Sequence, residues 1–203
     1  MTAILVLGTH NLKKLKELQQ LLSVKELATR TLADFEQVIT VEETGSTFPE
    51  NAAIKATTQA LHLGRWILAE DSGLCVDALG GAPGVYSARY AGLNGDDLAN
   101  NRKLLKALDG LPLAQRTAQY ECHACLSDPD GNVRLEANGI CRGRILTQEF
   151  GSGGFGYDPM FEVVEYHCTF GQLGAAVKRA ISHRARAMRQ IVPKLLSIMT
   201  SIE

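Results

Sequence analysis

Apolar positions recur along this chain at two periods, with short unbroken runs between them, and each spacing predicts a different element. Ile4-Leu5-Val6-Leu7 is a continuous apolar run closed by Gly8, which predicts a first strand over residues 1–8. After Thr9-His10-Asn11, the residues Leu12, Leu15, Leu18, Leu21 and Leu22 return at helical spacing, so the chain opens as strand, turn, helix. Residues 27–41 hold a second strand and an irregular link. Thr47 with Glu50 three residues later forms a capping box, and Pro49 suits a first helical turn. The helix they open runs from about Phe48 to Leu63, with Ala52, Ala56 and Ala60 permitting close packing.

The apolar run Trp66-Ile67-Leu68 predicts a buried strand that ends on Glu70-Asp71, and strand ends are where α/β proteins usually work. Glycines 73, 80, 81, 84 and 92 follow, with Tyr86 and Arg89 able to contact an anion. Asp96 caps a helix through Leu108, with Leu98, Leu104, Leu105 and Leu108 on its inner side and Gly110 and Pro112 ending it. A strand over 117–126, the turn Asp128-Pro129-Asp130-Gly131 and a strand from Val133 to about Ile140 form a hairpin, which makes the sheet mixed. Lys178-Arg179-Ala180-Ile181-Ser182-His183-Arg184 opens a long helix reaching about Met199, kinked at Pro193. No long linker, internal repeat or low-complexity tract interrupts this order.

Composition narrows the possible partners. With 203 residues, 45% of them apolar, the chain buries one substantial core, as one domain or two lobes sharing it. Twenty-one basic against 22 acidic residues remove any bulk electrostatic argument for nucleic-acid binding, and small ligands are the expected partners. The first apolar run has no basic region before it and is far short of a membrane span, so no membrane association and a cytoplasmic location are expected. Five cysteines, at 75, 122, 125, 141 and 168, are read as reduced thiols. Cys122 and Cys125 lie three apart in a strand, hence on opposite faces, and no second ligand pair accompanies them; they are structural.

Five stretches carry candidate chemistry. Glu70-Asp71 with its glycines reads as a metal-and-phosphate site. The helix start after Asn11, with Lys13, Lys14 and Lys16, is either an anion site or an ordinary capped helix with a solvated lysine face. Glu42 and Glu43 stand in a loop from which a carboxylate joins Asp71 on a metal, or form a solvated acid pair. Gly151-Ser152-Gly153-Gly154-Phe155-Gly156-Tyr157-Asp158 folds backbone donors around a flat ligand on which Phe155 stacks, or is a flexible loop before an edge strand. Lysine and arginine only donate, so Lys178 and Arg184 aimed at a base favour a keto oxygen over an amino group; the alternative is a solvated basic helix face.

Together these stretches resemble the inosine/xanthosine triphosphate pyrophosphatase family. The matching pieces are Thr9-x-Asn11-x-x-Lys14, Glu42-Glu43-Thr44-Gly45-x-Thr47-Phe48-x-Glu50-Asn51-Ala52, Asp71-Ser72-Gly73-Leu74 through Arg89-Tyr90, Gly153-Gly154-Phe155-Gly156-Tyr157-Asp158-Pro159, and Ile181-Ser182-His183-Arg184. They occur in the family's order. The resemblance implies an α/β fold with an elongated mixed β-sheet flanked by helices, as a single domain over 1–203 of two lobes with the active cleft between them. It implies Mg²⁺ dependence, a homodimer, and hydrolysis of ITP, dITP and XTP to monophosphate and pyrophosphate.

Carried over by position, Thr9, His10, Asn11, Leu12, Lys13 and Lys14 hold the triphosphate, Asp71 is base and metal-linked carboxylate, and Ser72 touches substrate. Phe155, Gly156, Tyr157, Asp158, Lys178, Ser182, His183 and Arg184 form the base pocket, and Glu42 or Glu43 also serves the metal. The chain departs from the family pattern in having His10 where glycine is common, which implies either a less open first loop or a positive φ at a residue that tolerates it poorly, and Glu70 where a second aspartate is usual. Water attack on the α-phosphorus with Asp71 taking the proton is the implied mechanism, Asp71 staying ionised beside a divalent cation without a raised pKa. The rival readings are a pyrophosphatase of related fold acting on other nucleotides, and a nucleotide-binding regulator without catalysis.

Overall fold

The computed structural model describes residues 4–24, 27–93 and 95–200; residues 1–3 of the expected first strand lie outside them. Seven strands form one sheet in the order β2-β1-β3-β4-β5-β6-β7. β1 (Ile4–Leu7) pairs in parallel with β2 (Ala28–Thr31) and with β3 (Trp66–Val76). β4 (Thr117–Ser127) and β5 (Val133–Ile145) are neighbours joined by a turn in which Gly131 N–H donates to the Asp128 carbonyl at 3.0 Å. β6 (Phe161–Val163) runs antiparallel to β5 and to β7 (Cys168–Thr169), so the sheet is mixed, as its sequence predicts.

Among the described residues five α-helices accompany the sheet: α1 (Leu12–Leu21), α2 (Phe48–Leu63), α3 (Asp97–Ala107), α4 (Ala175–Ile181) and α5 (His183–Thr200). The capping box predicted for α2 is formed: Thr47 Oγ1 accepts from Glu50 N–H at 3.3 Å, and Glu50 Oε2 accepts from Thr47 N–H at 3.1 Å. Gly64, at φ 61°, closes the same helix in the left-handed region that glycine enters without penalty. Asp96 caps α3 by accepting from Ala99 N–H at 2.9 Å.

Three expectations are corrected. β3 does not stop at Asp71 but continues to Val76, because Leu74 and Val76 extend the buried alternation past the acid pair. The long basic helix is two helices: Ser182 is extended, with ψ 159°, and α5 restarts at His183, serine being a residue that suits helix boundaries better than interiors. Pro193 lies inside α5 without ending it. Leu98, assigned to the inner side of its helix, is 62% exposed, since it sits in the first turn, ahead of the residues that pack.

The chain divides into two compact units, each assembled from separate segments. The first takes the described residues up to Asp71, Cys122–Gly139 and those from Arg184 onward. Its strands are covered on both faces: Leu5, Leu7 and Leu68 pack with Leu18 and Leu22 and with Ala187, Met188, Ile191 and Leu195 of α5, while Val6, Ile67 and Ala69 pack with Ala52, Ala56 and Ala60 of α2. Cys122 falls in the first cluster and Cys125 in the second, the opposite facing their spacing predicts, and none of the five cysteines is in a disulfide. The second unit, Ser72–Glu121 with Ile140–His183, has its own core of Leu74, Val76, Leu104, Leu108, Tyr120, Ile145, Met160, Phe161 and Phe170. Tyr120 and Phe161 lie 4.7 Å apart between ring centroids, within the range of favourable aromatic pairs.

Candidate active site

Two neighbouring strand residues point to opposite faces, and β3 uses this to send its two carboxylates into different surroundings. Glu70 shares the side of Leu68, which faces α1 and α5; Asp71 shares the side of Ile67 and Ala69, which faces α2. Both are buried, at 2% and 4% exposure.

Asp71 meets the cationic end of α2. Lys55 Nζ donates to Asp71 Oδ1 at 2.9 Å and to Glu43 Oε1 at 2.9 Å, and Asn51 Nδ2 approaches Asp71 Oδ2 at 3.4 Å. Asn51 and Lys55 are four apart on one helix, so a single face of α2 delivers both. The loop carrying Glu43 is drawn against this helix start by Gly45 N–H, which donates to Asn51 Oδ1 at 2.8 Å; a Cβ at Gly45 would meet that oxygen at 2.7 Å. Of the two candidate loop acids, Glu43 is brought to Lys55 and Asp71, and Glu42 is exposed. Burial pushes Asp71 above the ordinary carboxylate value, with Lys55 and then Lys14 pulling it back. Burial is the largest of these influences on the carboxylate. For Lys55, burial alone would lower its pKa, but the Asp71 and Glu43 carboxylates outweigh it and the ammonium is held charged.

Glu70 is the anion of a separate cluster. Arg184 Nη2 and Lys14 Nζ reach its Oε1 at 3.2 and 3.3 Å, and the Cys122 thiol donates to Oε2 at 3.3 Å. The other guanidinium nitrogen, Nη1 of Arg184, pairs with Glu17 on α1. Arg184 is thus held among first-unit carboxylates, and burial keeps the Cys122 thiol protonated.

At the start of α1, Asn11 Oδ1 accepts from the N–H groups of Lys13 and Lys14 at 3.0 and 3.1 Å, and Thr9 Oγ1 accepts from Asn11 N–H at 3.2 Å. The helix is N-capped as the sequence allows. His10, Asn11, Leu12 and Lys13 are exposed, whereas Lys14 is turned inward toward Glu70 with its side chain 17% exposed. Among the described residues the non-glycine at positive φ is His167, so of the two alternatives for His10 the positive φ is not adopted.

Metal-binding capacity can be judged from the donors. Among the described residues no three His, Cys, Asp or Glu side chains converge on one point. Mg²⁺, however, is ordinarily held by one or two carboxylates together with water and substrate phosphates. Asp71 and Glu43 supply two hard oxygen donors already gathered around one cation, the Lys55 ammonium. The donor set fits such an ion.

In the second unit the glycine-rich loop is tied down. Gly153 N–H donates to the Gly171 carbonyl at 2.9 Å, and Thr169 Oγ1 donates to the Phe150 carbonyl at 2.6 Å. Asp158, 2% exposed, accepts from Phe155 N–H at 2.8 Å and from Lys178 Nζ at 2.6 Å on the same oxygen. Gly154 is required here: at φ 73° it lies so close that a Cβ would meet that oxygen at 2.0 Å. The Lys178 ammonium stands 4.5 Å from the Phe155 ring centroid, in cation–π range. Gly156 N–H donates to Asp97 Oδ2 at 3.0 Å, and the buried Tyr157 hydroxyl donates to the Ser87 carbonyl at 2.8 Å. Ser182 and His183 are buried, His183 stacked on Tyr120 at 4.7 Å; Ser72 is half-buried on β3.

Sequence reasoning missed Lys55, Glu17, Asp97 and the Cys122 contact. Lys55 had a readable signal, its four-residue spacing from Asn51 within the capped helix.

A model of the Ham1 family matches residues 5–194. A protein from Rhodopirellula baltica named dITP/XTP pyrophosphatase is 61% identical over 197 residues, covering 97% of this chain and 95% of that protein. One of the same name from Desulforamulus reducens is 48% identical over 186 residues, 92% of each. The solved structure of a HAM1 protein from Coxiella burnetii is similar with TM-score 0.86 at 39% identity, over 98% of this chain and 99% of that one.

Proposed function

Because the chain belongs to the Ham1 family, we propose that it hydrolyses ITP, dITP and XTP to the monophosphate and pyrophosphate, removing non-standard purines from the nucleotide pool. The observation that carries this reading is the buried Asp71, its carboxylate held by Lys55 at 2.9 Å and approached by Asn51 at 3.4 Å, which fixes it as a general base. Its role is to take the proton of a water attacking the α-phosphorus. Lys55 fixes the carboxylate and keeps positive charge beside it. Lys14, with Thr9, Asn11 and Lys13 at the start of α1, receives the triphosphate.

Asp71 and Glu43 would hold Mg²⁺, which when bound supplies neutralising charge to the phosphates and the pyrophosphate leaving group. Phe155 offers its ring to the base, and Lys178, aimed by Asp158, donates toward a 6-keto oxygen, with Ser182 and His183 in support. A 6-amino group meets that ammonium donor to donor, which disfavours adenosine. A homodimer in the cytoplasm belongs to the same proposal.

A nucleotide panel with pyrophosphate detection tests it. ITP, dITP and XTP should exceed ATP in kcat/KM by at least about 100-fold, since a site built to hydrogen-bond one group rejects an analogue lacking it. Equal turnover of ATP, or preference for a pyrimidine triphosphate, contradicts the reading.

A further inference from the structure

We infer that Gln59 is a positioning residue for the divalent cation, holding residues 37–45 in the register that turns Glu43 rather than Glu42 toward Lys55 and Asp71. The inference rests on the proposed assignment of Asp71 and Glu43 to Mg²⁺.

Residues 37–45 form neither helix nor strand, and among the described residues their backbone bonds to side chains of α2. Gln59 Nε2 donates to the Ile39 carbonyl at 2.6 Å, His62 Nε2 lies 2.6 Å from the Gln37 carbonyl oxygen, and Gly45 N–H donates to Asn51 Oδ1 at 2.8 Å. Between them Lys55 takes Glu43. Asn51, Lys55 and Gln59 are four apart and His62 three further on, so one stripe of α2 meets the segment in reverse order. Val41, Glu43 and Gly45 are half-buried while Glu42 and Thr44 are exposed, the period-two alternation of an extended chain. A slip of one residue would therefore exchange Glu43 for Glu42. The bonds at Ile39 and Gly45 bracket Glu43 and oppose such a slip from both sides.

Gln59 is 2% exposed, and its Oε1 is buried without a hydrogen-bond partner among the described residues. Burying that oxygen costs free energy that methionine, filling similar space, would avoid. Packing alone does not account for a glutamine here; the bond to Ile39 does.

Gln59→Met removes the donor and the orphan oxygen together and nearly keeps the volume, so the fold is retained while Ile39 is released. The Mg²⁺ concentration for half-maximal ITP hydrolysis should rise about tenfold, the scale on which outer partners of metal ligands act, with kcat recovered at saturating Mg²⁺. Mn²⁺ titrated against nucleotide-free protein, read by the paramagnetic resonance of the free ion, should bind this variant more weakly in the same proportion. Gly45→Ala, whose Cβ would meet Asn51 Oδ1 at 2.7 Å, disturbs the other bracket without altering α2 and should move both readouts the same way. In a Glu43→Gln background Gln59→Met should add nothing, because both changes act through one carboxylate. Thr57→Val, which removes a hydroxyl donating to the Ala53 carbonyl within α2, should change neither readout. Unchanged Mg²⁺ half-saturation in Gln59→Met overturns the inference, as do an equal shift in Thr57→Val, additive losses in the double variant, or no Mn²⁺ binding by the unaltered protein. The Mn²⁺ titration needs no turnover, so absence of pyrophosphate release by the unaltered protein would instead defeat the proposed function alone.

Discussion

Glu70 and Asp71 differ by one position on a strand, and that single step sends one toward Lys14 and Arg184 and the other toward Lys55 and Asn51. Their surroundings follow from this. Asp71 shares its lysine with a partly exposed Glu43, and Glu70 is enclosed by two cations and a thiol. Asp71→Asn keeps the shape and removes the base, so turnover of ITP should fall by about 10²- to 10⁴-fold while nucleotide affinity by direct titration stays near the wild-type value. Near-normal turnover in that variant sinks the assignment. Asp71 was readable in the sequence because a carboxylate pair after an apolar run is conspicuous. The partition between the pair was not, because it depends on which helix covers which face.

At the scale of elements, local signals were read well and tertiary ones poorly. Thr47, Pro49, Glu50 and Gly64 fix both ends of α2, and these are interactions within a few residues of each other. The continuation of β3 past Asp71 goes with the burial of Leu74 and Val76 in the second unit's core, and the break at Ser182 precedes a His183 stacked on Tyr120. The α2 cap also bears on the site, since it holds the helix start from which Asn51 and Lys55 project. Thr47→Ala should cost about 1 kcal/mol, a melting shift of about 2–4 °C for a chain of this size. An unchanged melting temperature would mean the capping box contributes nothing to stability.

Across the whole molecule, the mixed sheet and the Ham1 relationship were legible because they rest on the order of strands and motifs. The make-up of the two units was not, because each gathers segments distant in sequence: Arg184 belongs with residues up to Asp71, and His183 beside it belongs with Ser72–Glu121. That boundary is why a motif read as one group, Ser182-His183-Arg184, divides between a stacked histidine and a buried ion pair. The central claim is the position of bond cleavage, and it is tested most directly by hydrolysing ITP in ¹⁸O-labelled water with Mg²⁺ and weighing both products. One ¹⁸O in the monophosphate, unlabelled pyrophosphate and equal amounts of the two are predicted. Inosine diphosphate with orthophosphate, or label in the pyrophosphate, would contradict attack at the α-phosphorus.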